Sequence, residues 1–349
     1  MIQTKFHIIN EENIPYIIAE IGLNHNGNVD LAIQMIEQAA KSGAHCVKFQ
    51  MYHTDLFIQS NARLGELPEG SLADFFRQFE LKADDWQRLI YVANLNQVDF
   101  LCSLFDLESL LFYRQLLINN GYEQFFLKIA STDITNRQLL ERAKENNFKL
   151  MISTGASNQD EVDRVIGWVD EPAVLFQCVS SYPANPADYN LQLLSNWKQK
   201  YQCQIGISDH CLDNLVSIAG YLMGASVIER HFTIDRKMAG PDQSLSITPE
   251  QLRELHSDLK TLQLAKGDGI KKSMPSEAGV RQFGRRSLYA SRSLKKGSKI
   301  STDDIIALRP GGGNIAPENQ SHIVGKILNK PINKGDLLSL KDFLNTSST

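Results

Sequence analysis

The sequence predicts an α/β protein whose main domain is a (β/α)8 barrel, and three observations support this prediction. Eight short apolar runs recur along the chain, and each has the length of a strand buried on both faces of a parallel sheet. Most of the gaps between these runs carry the spacing of amphipathic helices. Strand and helix alternate over about 250 residues, which is the usual size of such a barrel.

Each apolar run ends at polar residues. In chain order the runs are "YIIAE" to Glu20, "CVKFQ" to Gln50, "FLCS" to Ser103, "FFLKIAS" to Ser131, "KLMIST" to Thr154, "VLFQCVSS" to Ser181, "QIGISDH" to His210 and "SVIERH" to His231. Barrel enzymes place their chemistry at the carboxyl ends of the strands. The polar residues at these ends are therefore the candidates for a functional site.

The gaps between the runs predict local features. In "NVDLAIQMIEQAAKSGA" the helical spacing predicts a buried stripe of Ile33, Ile36 and Ala40. In "TNRQLLERAKENNF" we expect Thr135 to cap the helix, because a threonine oxygen accepts hydrogen bonds from the first free N–H groups. The long segment over residues 56–76 is expected to form an enlarged, mobile loop above the site.

The composition changes after the barrel and predicts a second domain. Residues 267–284 are rich in Gly, Lys, Pro and Ser, which indicates a linker between a catalytic domain at 1–266 and a small domain at 285–349. Within the small domain, "LKKGSKISTDDI" and "INKGDLLSLKDF" repeat a Gly and an Asp at equal spacing. This repeat predicts a compact, internally pseudo-symmetric module, and the last residues, "NTSST", are expected to fray.

Charge and composition exclude several classes of partner. Hydrophobic residues make up 42% and charged residues 22% of the chain, and the net charge is −4. No basic block interrupts the sequence, which argues against binding to nucleic acid or anionic lipid. No apolar stretch approaches the length that spans a bilayer, and the first residues lack the pattern of a secretory signal, so we expect a cytoplasmic protein.

Two histidines predict a metal site. His210 and His231 end the seventh and eighth runs, which are neighbours in a barrel, so both imidazoles can point into the same mouth. Either histidine alone would more often be a hydrogen-bonded structural residue. Two nitrogens completed by water and substrate oxygens favour Mn²⁺, with Mg²⁺ or Co²⁺ as other candidates. His25, in the first loop, is a rival third ligand.

Two lysines predict an anion site at the same end of the barrel. Lys48 and Lys128 lie near the ends of the second and fourth runs. Lysines are rarely buried unless paired, so they either form ion pairs with carboxylates or bind an anion that enters the barrel. The hydroxyls of Ser131, Ser153 and Ser208 lie on the same rim. Together these groups can hold a phosphate and a carboxylate.

Four carboxylates accompany these cations, namely Glu20, Asp209, Glu229 and Asp242. They form salt bridges, orient a metal-bound histidine, or transfer protons. Glu20 is the preferred candidate for proton transfer, because it ends the first run directly before a turn-rich loop. We expect Asp209 to support His210 as a metal ligand. Alternation along "IERHFT" points Arg230 outwards, where its charge requires a partner.

The segments around these residues carry further motifs. They are "IIAEIGLNHNGNVDLA", "GAHCVKFQ", "FDLES", "LKIASTDITN", "ISTGAS", "SSYPANP", "GISDH", "GASVIERHFTIDRKMAGPDQS", "GDGIKK" and "RRSLYASRSLKKG" through "LRPGGG". In order and over essentially the whole chain, they closely resemble the sialic acid synthase family, the phosphoenolpyruvate-dependent synthases of N-acetylneuraminate and related nine-carbon sugars. The combination of "NHNG", "SDH", "E-x-HFT-x-D" and "GPD" makes this resemblance specific.

The resemblance implies a barrel followed by a small antifreeze-like (SAF, β-clip) domain. It also implies a domain-swapped homodimer, in which the small domain covers the barrel mouth of the partner. By matching motifs, His210 and His231 would be the ligands of a divalent ion, usually Mn²⁺. Arg309 in "LRPGGG" would reach the N-acyl group of the sugar from the other subunit.

The resemblance also implies roles for the remaining candidates. The residues that would hold phosphoenolpyruvate are Lys48, Lys128, Ser131, Ser153 and Ser208. The residues that would contact the acceptor sugar are Glu20, Gln50, Tyr182, Glu229 and Asp242. Catalytic roles are expected for Glu20, Lys48, Lys128 and Asp242. Two departures concern substrate binding: Ser103 replaces a threonine near the phosphoenolpyruvate, and Ser180 stands where some relatives carry another polar residue.

The implied reaction joins phosphoenolpyruvate, water and open-chain N-acetylmannosamine into N-acetylneuraminate with release of phosphate by C–O cleavage. The alternative acceptors are N-acetylmannosamine 6-phosphate and a 6-deoxy diacetamido sugar that leads to legionaminic or pseudaminic acid. Two other functions stay open. One is a different metal-dependent barrel, an aldolase or a condensation with an aldose phosphate, and the other is an ice- or glycan-binding module on an inactive barrel.

Overall fold

The computed structural model describes residues 1–60, 62, 71–313 and 315–344. The predicted loop over residues 56–76 therefore lies partly outside the described residues, and the predicted frayed end at 345–349 lies outside them. The chain divides into two compact units, Met1–Gly267 and Asp268–Thr349. Each unit has its own hydrophobic core.

The first unit is a closed barrel of eight parallel strands, which confirms the predicted fold. A short antiparallel hairpin, β1 (Ile2–Gln3) and β2 (Ile8–Ile9), precedes it. The barrel strands β3 to β10 are Tyr16–Gly22, Cys46–Met51, Asp99–Leu104, Phe125–Ile129, Phe148–Ser153, Val174–Cys178, Gln204–Asp209 and Val227–His231. They pair in chain order, and β10 closes the ring on β3.

Helices connect the strands on the outside of the barrel. Helices α1 to α10 are Val29–Lys41, Thr54–Phe57, Leu72–Arg77, Ala83–Leu95, Leu107–Asn119, Arg137–Glu145, Gln159–Val169, Gln192–Lys200, Leu215–Leu222 and Pro249–Lys266. Along the described ranges, no helix combines the length and the apolar composition needed to cross a bilayer.

Two local predictions about the helices need correction. In α1 the buried positions are Ala32, Met35, Ile36 and Ala39, so the buried face is rotated relative to the predicted stripe, and Ile33 and Ala40 lie at its edge. Before α6, Asn136 rather than Thr135 is the cap, and its side chain accepts from the backbone of Leu139. Asparagine caps a helix at least as well as threonine, so the helix begins one residue later.

The second unit contains the antiparallel pair β11 (Ser287–Ala290) and β12 (Ile305–Leu308). The two copies of the repeat face each other. Leu294 and Ile332, which occupy equivalent places three residues before a repeated glycine, donate to each other's carbonyl at 2.8 and 3.0 Å. The predicted pseudo-symmetry is therefore present in the backbone pairing.

Candidate active site at the carboxyl ends of the barrel strands

Side chains alternate inwards and outwards along each strand, and the inward positions end in a polar layer. The apolar layer beneath it contains Ile18, Cys46, Leu101, Met151, Phe176 and Val227. Two residues further along the same strands come Glu20, Lys48, Ser103, Ser153, Cys178 and Glu229, and Lys128 and Ser208 join them from β6 and β9. All of these side chains are buried. The structure thus collects four of the predicted anion-site residues, Lys48, Lys128, Ser153 and Ser208, in one layer, and Ser131 follows β6 outside it.

Glu229 is the carboxylate that the cations of this layer share. Lys128 Nζ donates to its two carboxylate oxygens at 2.7 and 2.9 Å. Lys48 Nζ lies 3.4 Å from Glu229 Oε2, and the Ser208 hydroxyl donates to Oε1 at 2.9 Å. Because both ammonium groups contact one carboxylate, they are spaced to contact one anion of that size.

Lys48 has a second carboxylate partner, Glu20. Its Nζ lies 3.1 Å from Glu20 Oε2 and donates to Ser103 Oγ at 3.2 Å. The side-chain amide of Gln50 donates to Glu20 Oε1 at 3.4 Å. The lysines therefore form ion pairs with carboxylates, which is one of the two alternatives predicted, and the same two ammonium groups are available to an anion that competes for them.

Burial and charge act in opposite directions on these groups. Burial raises the pKa of Glu229, but attraction by Lys128 and Lys48 outweighs burial and holds that pKa well below its usual value. For Glu20, burial outweighs the attraction of Lys48, and the pKa is raised. Glu20 is therefore the carboxyl group of this layer whose pKa moves towards neutrality, as a group that exchanges protons requires.

His210 and His231 lie together beside this layer, with ring centroids 5.4 Å apart. Nδ1 of His210 is 2.7 Å from the Val179 carbonyl oxygen, which only accepts, so the ring proton lies on Nδ1 and Nε2 carries a lone pair. Nδ1 of His231 is buried and has no hydrogen-bond partner among the described residues. Burial lowers the pKa of each ring to about 4.

These observations fit a divalent ion. Both imidazoles are neutral at pH 7, one of them presents a lone pair oriented by a backbone carbonyl, and the other has an unsatisfied buried nitrogen. Over the described ranges, no group of three or more His, Cys, Asp or Glu side chains converges as a ligand set. The rival ligand His25 is therefore not part of such a group, and water and substrate oxygens would complete the shell.

Asp242 and Tyr182 border the two imidazoles. Asp242 Oδ2 lies 3.8 Å from His231 Nδ1. The ring of Tyr182 lies 4.3 Å from that of His210, centroid to centroid, and 5.8 Å from that of His231. Tyr182 is 52% exposed, so it forms part of the outer wall of the site. Their role as sugar contacts stays a prediction.

Asp209 does not support His210, and this prediction is wrong. Its carboxylate is turned to the outer side of the barrel, where it accepts from Arg230 at 2.9 Å and from the Ser217 hydroxyl at 2.5 Å. The side-chain alternation of β9 explains the difference, because Ser208 and His210 point inwards while Asp209 points outwards. The partner that the charge of Arg230 requires is therefore Asp209.

The remaining candidates are hydroxyls at the ends of β6, β7 and β8. Ser131 Oγ accepts from the backbone N–H of Gly155 at 3.1 Å. Ser153 Oγ is buried without a hydrogen-bond partner among the described residues, and Ser180 is exposed. The sequence-based prediction missed Gly155, although a glycine directly after a strand end in "ISTGAS" is the signal that could have indicated it.

Arg309 lies in the second unit, exposed and directly after β12. The hydroxyl of Tyr289 donates to the carbonyl of the next residue, Pro310, at 2.9 Å, which holds this loop against β11. The role of Arg309 at the barrel site of a partner stays a prediction.

Barrel enzymes place their chemistry at the carboxyl ends of their strands, and this chain gathers its buried charges and imidazoles at the same place. Its two units match two known protein families. Residues 35–271 match the NeuB family, and residues 285–344 match the SAF domain. The chain belongs to the NeuB family.

Several of its relatives are named synthases. The N,N'-diacetyllegionaminic acid synthase of Legionella pneumophila is 36% identical over 337 residues, which cover 93% of each protein. The N-acetylneuraminate-9-phosphate synthase of Drosophila melanogaster is 32% identical and covers 90% of this chain and 91% of its own. The crystal structure of N-acetylneuraminic acid synthetase from Leptospira borgpetersenii, in complex with citrate, is 32% identical with a TM-score of 0.67, over 77% of this chain and 90% of that one.

Proposed function

We propose that this enzyme condenses phosphoenolpyruvate with an open-chain N-acylated hexosamine and water, which yields a nine-carbon 2-keto-3-deoxy sugar acid and phosphate. The observation that carries the proposal is the pair of buried ammonium groups, Lys48 and Lys128, which share Glu229 beside two neutral imidazoles. Two buried cations suit a small substrate with two anionic groups, and the imidazoles suit a metal-assisted reaction of an aldehyde.

A 6-deoxy diacetamido sugar is the acceptor favoured by the relatives. The Legionella pneumophila and Campylobacter jejuni proteins named N,N'-diacetyllegionaminic acid synthase are 36% and 34% identical to this chain. N-acetylmannosamine, the acceptor expected from the sequence, is the second candidate, and its support is the 32% identity to the N-acetylneuraminic acid synthetase of Leptospira borgpetersenii. The 6-phosphate of N-acetylmannosamine is the third, with 32% identity to the Drosophila melanogaster enzyme.

The residues of the chain bind and orient the two substrates. Lys48 and Lys128 offset the negative charges of phosphoenolpyruvate, and the hydroxyls at the strand ends donate to its phosphate. The C3 carbon of phosphoenolpyruvate attacks the aldehyde carbon, water adds at C2, and phosphate leaves with cleavage of its C–O bond. Glu20, whose pKa is raised by burial, passes a proton to the aldehyde oxygen and takes one back from the water that adds at C2. The C2 hydroxyl gives its proton to the leaving phosphate as the ketone forms. Tyr182 and Asp242 position the sugar.

His210 and His231 would hold a divalent ion, for which Mn²⁺ is our first proposal. When bound, such an ion supplies Lewis-acid polarisation of the aldehyde. The carbonyl of Val179 fixes the ring proton of His210 on Nδ1 and so presents Nε2 to the ion.

Arg309 belongs to the second unit, so we also propose a homodimer in which it completes the site of the partner. If the sites are shared, Arg309→Ala protein mixed with His210→Ala protein regains activity, since one type of site then has both residues intact. Absence of rescue after subunit exchange has been demonstrated by labelled protein would contradict shared sites.

The deciding experiment measures phosphate release from phosphoenolpyruvate with each of the three acceptors, in Mn²⁺ and in chelator. We expect activity with the diacetamido sugar and loss of activity in chelator. We also expect His231→Ala to lose more than about 100-fold in activity, because removal of a metal ligand should cost more than removal of a residue that only hydrogen-bonds to a ligand. His7→Ala, in the hairpin that precedes the barrel, is the matched control and should keep its activity.

Each result has a distinct meaning. If no acceptor consumes phosphoenolpyruvate, the proposed reaction is wrong. If the reaction proceeds equally in chelator and in His231→Ala, the reaction stands and the metal site is wrong. Preference for N-acetylmannosamine would restore the acceptor expected from the sequence.

A further inference from the structure

Gly155 lies two residues after the end of β7, at the carboxyl end of the barrel. Its φ is not in the left-handed region, so an alanine could adopt the same backbone conformation. The side chains of two neighbouring serines, however, occupy the space that the methyl group of an alanine would need. A Cβ at this position would lie 2.8 Å from Ser131 Oγ and 3.2 Å from Ser131 Cβ, and it would overlap with the hydroxyl oxygen of Ser180. An alanine here would therefore displace the hydroxyls of these two serines.

Both hydroxyl oxygens, Ser131 Oγ and Ser180 Oγ, lie within 3 Å of the point where a Cβ would be. The backbone N–H of Gly155 donates to Ser131 Oγ at 3.1 Å, which uses an acceptor position of that oxygen and leaves its proton to donate. The nearest acceptor to Ser131 is the sulfur of Cys178 at 3.6 Å, which is a weak partner. A stronger acceptor that enters the site would therefore take this proton.

An independent observation points to a ligand at the same place. Ser153 is two residues before Gly155 and faces the interior of the barrel, its side chain is only 2% exposed, and its hydroxyl has no partner among the described residues. Lys128 lies on the neighbouring strand, where it pairs with Met151. Convergent hydroxyls beside an ammonium group are the chemistry that binds a phosphate.

We propose that Gly155 is a positioning residue for the phosphate group of phosphoenolpyruvate. Because it has no Cβ, the hydroxyls of Ser131 and Ser180 can both approach one phosphate. This inference rests on the proposed function, since it takes phosphoenolpyruvate as the substrate. It adds a residue that does not touch the substrate and acts through the two serines.

The test compares Gly155→Ala with wild type in phosphate release and in binding of inorganic phosphate by calorimetry. We expect the KM for phosphoenolpyruvate and the Kd for inorganic phosphate to rise about 10- to 100-fold, the range for one lost hydrogen bond to a charged group. The KM for the acceptor should stay within about twofold. A general loss of structure would raise both KM values, so this difference separates positioning from folding.

Gly167→Ala is the matched control. Gly167 lies in α7, and apart from its chain neighbours and the backbone of its own helix, no atom of the described residues lies within 4 Å of the point that a methyl group there would occupy. The same substitution at this position should therefore leave both KM values unchanged. Its melting temperature should rise slightly, because alanine is the better helix former.

Ser180→Ala provides a test that adds no atoms. Ser180→Ala alone should raise the KM for phosphoenolpyruvate. In the double variant Ser180→Ala/Gly155→Ala, the fold-increase in this KM should be smaller than the product of the two single fold-increases. The inference is overturned if Ser180→Ala leaves this KM unchanged, if folded Gly155→Ala binds phosphoenolpyruvate like wild type, or if the two effects multiply. Wild-type protein that neither binds nor consumes phosphoenolpyruvate would instead overturn the proposed function.

Discussion

Arg230→Met is the substitution that tests how the outer side of the barrel holds the site. The Arg230 side chain is 1% exposed and donates to Asp209 Oδ2 at 2.9 Å, to Ser217 Oγ at 3.1 Å, and to the carbonyls of Cys211 and Asp213 at 2.6 and 2.5 Å. Asp209 is fully buried as well. Methionine fills a similar volume without the charge, so the substitution removes the ion pair and leaves the packing largely in place.

The expected loss is large because the remaining charge stays buried. Removal of one partner of a buried ion pair lowers the free energy of unfolding by about 3–5 kcal/mol. The carbonyls of Cys211 and Asp213 also lose a charged donor, which adds to the loss wherever water does not replace it. The double variant Arg230→Met/Asp209→Asn removes the uncompensated charge and should recover at least about half of that free energy.

Chemical denaturation of the whole chain, followed by far-UV circular dichroism, measures these free energies. Arg137→Met is the control, because Arg137 forms an exposed ion pair with Glu141 at 2.7 Å and the same substitution there should lower stability by less than about 0.5 kcal/mol. A loss below about 1 kcal/mol in Arg230→Met would refute the reasoning. A double variant that loses the sum of its two single effects would refute it too, since the recovery depends on their coupling.

Two further predictions concern the other end of the barrel. Asp99 accepts from the Thr4 hydroxyl at 2.6 Å and from the Tyr16 hydroxyl at 2.7 Å, so Asp99→Ala should lower stability by about 2–4 kcal/mol and expose the N-terminal hairpin to limited proteolysis, whereas unchanged cleavage would contradict this anchor. Burial, with the nearby charges of His7, His256 and Lys260, lowers the pKa of His45 from 6.5 to about 3. The unfolded chain therefore binds this proton more tightly, and stability present above pH 6.5 should fall as the pH drops towards 3, by up to about 1.4 kcal/mol per pH unit. His45→Gln should flatten the curve over that range, and an unchanged curve would exclude His45 as its source.

The strands and their polar ends could be predicted because a parallel barrel restricts which residue types each strand can contain. A strand buried on both faces must be apolar throughout, so "YIIAE" and "SVIERH" stand out against their surroundings, and each strand ends where polar residues begin. The alternation of side chains then places Glu229 and His231 on one face of β10 without any knowledge of the other strands.

The pairing of charges could not be predicted in the same way. Lys128 and Glu229 are 101 residues apart, and only the closure of β10 on β3 fixes which cations Glu229 meets. Adjacency along the chain suggests that Asp209 supports His210, but adjacent residues of a strand face opposite ways. The sequence could indicate Gly155 as a glycine after a strand end, but it could not show which groups surround it, because these are serines that follow two other strands.

The inward-facing residues of β9 and β10 belong to the candidate active site, and the outward-facing residues hold the two strands together. Ser208 and Glu229 point inwards to the lysines, while the residues that follow them, Asp209 and Arg230, point outwards and are directly paired in the strand register. Their ion pair therefore fixes β10 against β9 at the position where each strand next presents a histidine. Because Arg230 also holds the carbonyls of Cys211 and Asp213, it restrains the segment that follows His210. Asp209 therefore makes no contact with the imidazole of His210, and its ion pair acts on the backbone of the two strands that carry the histidines.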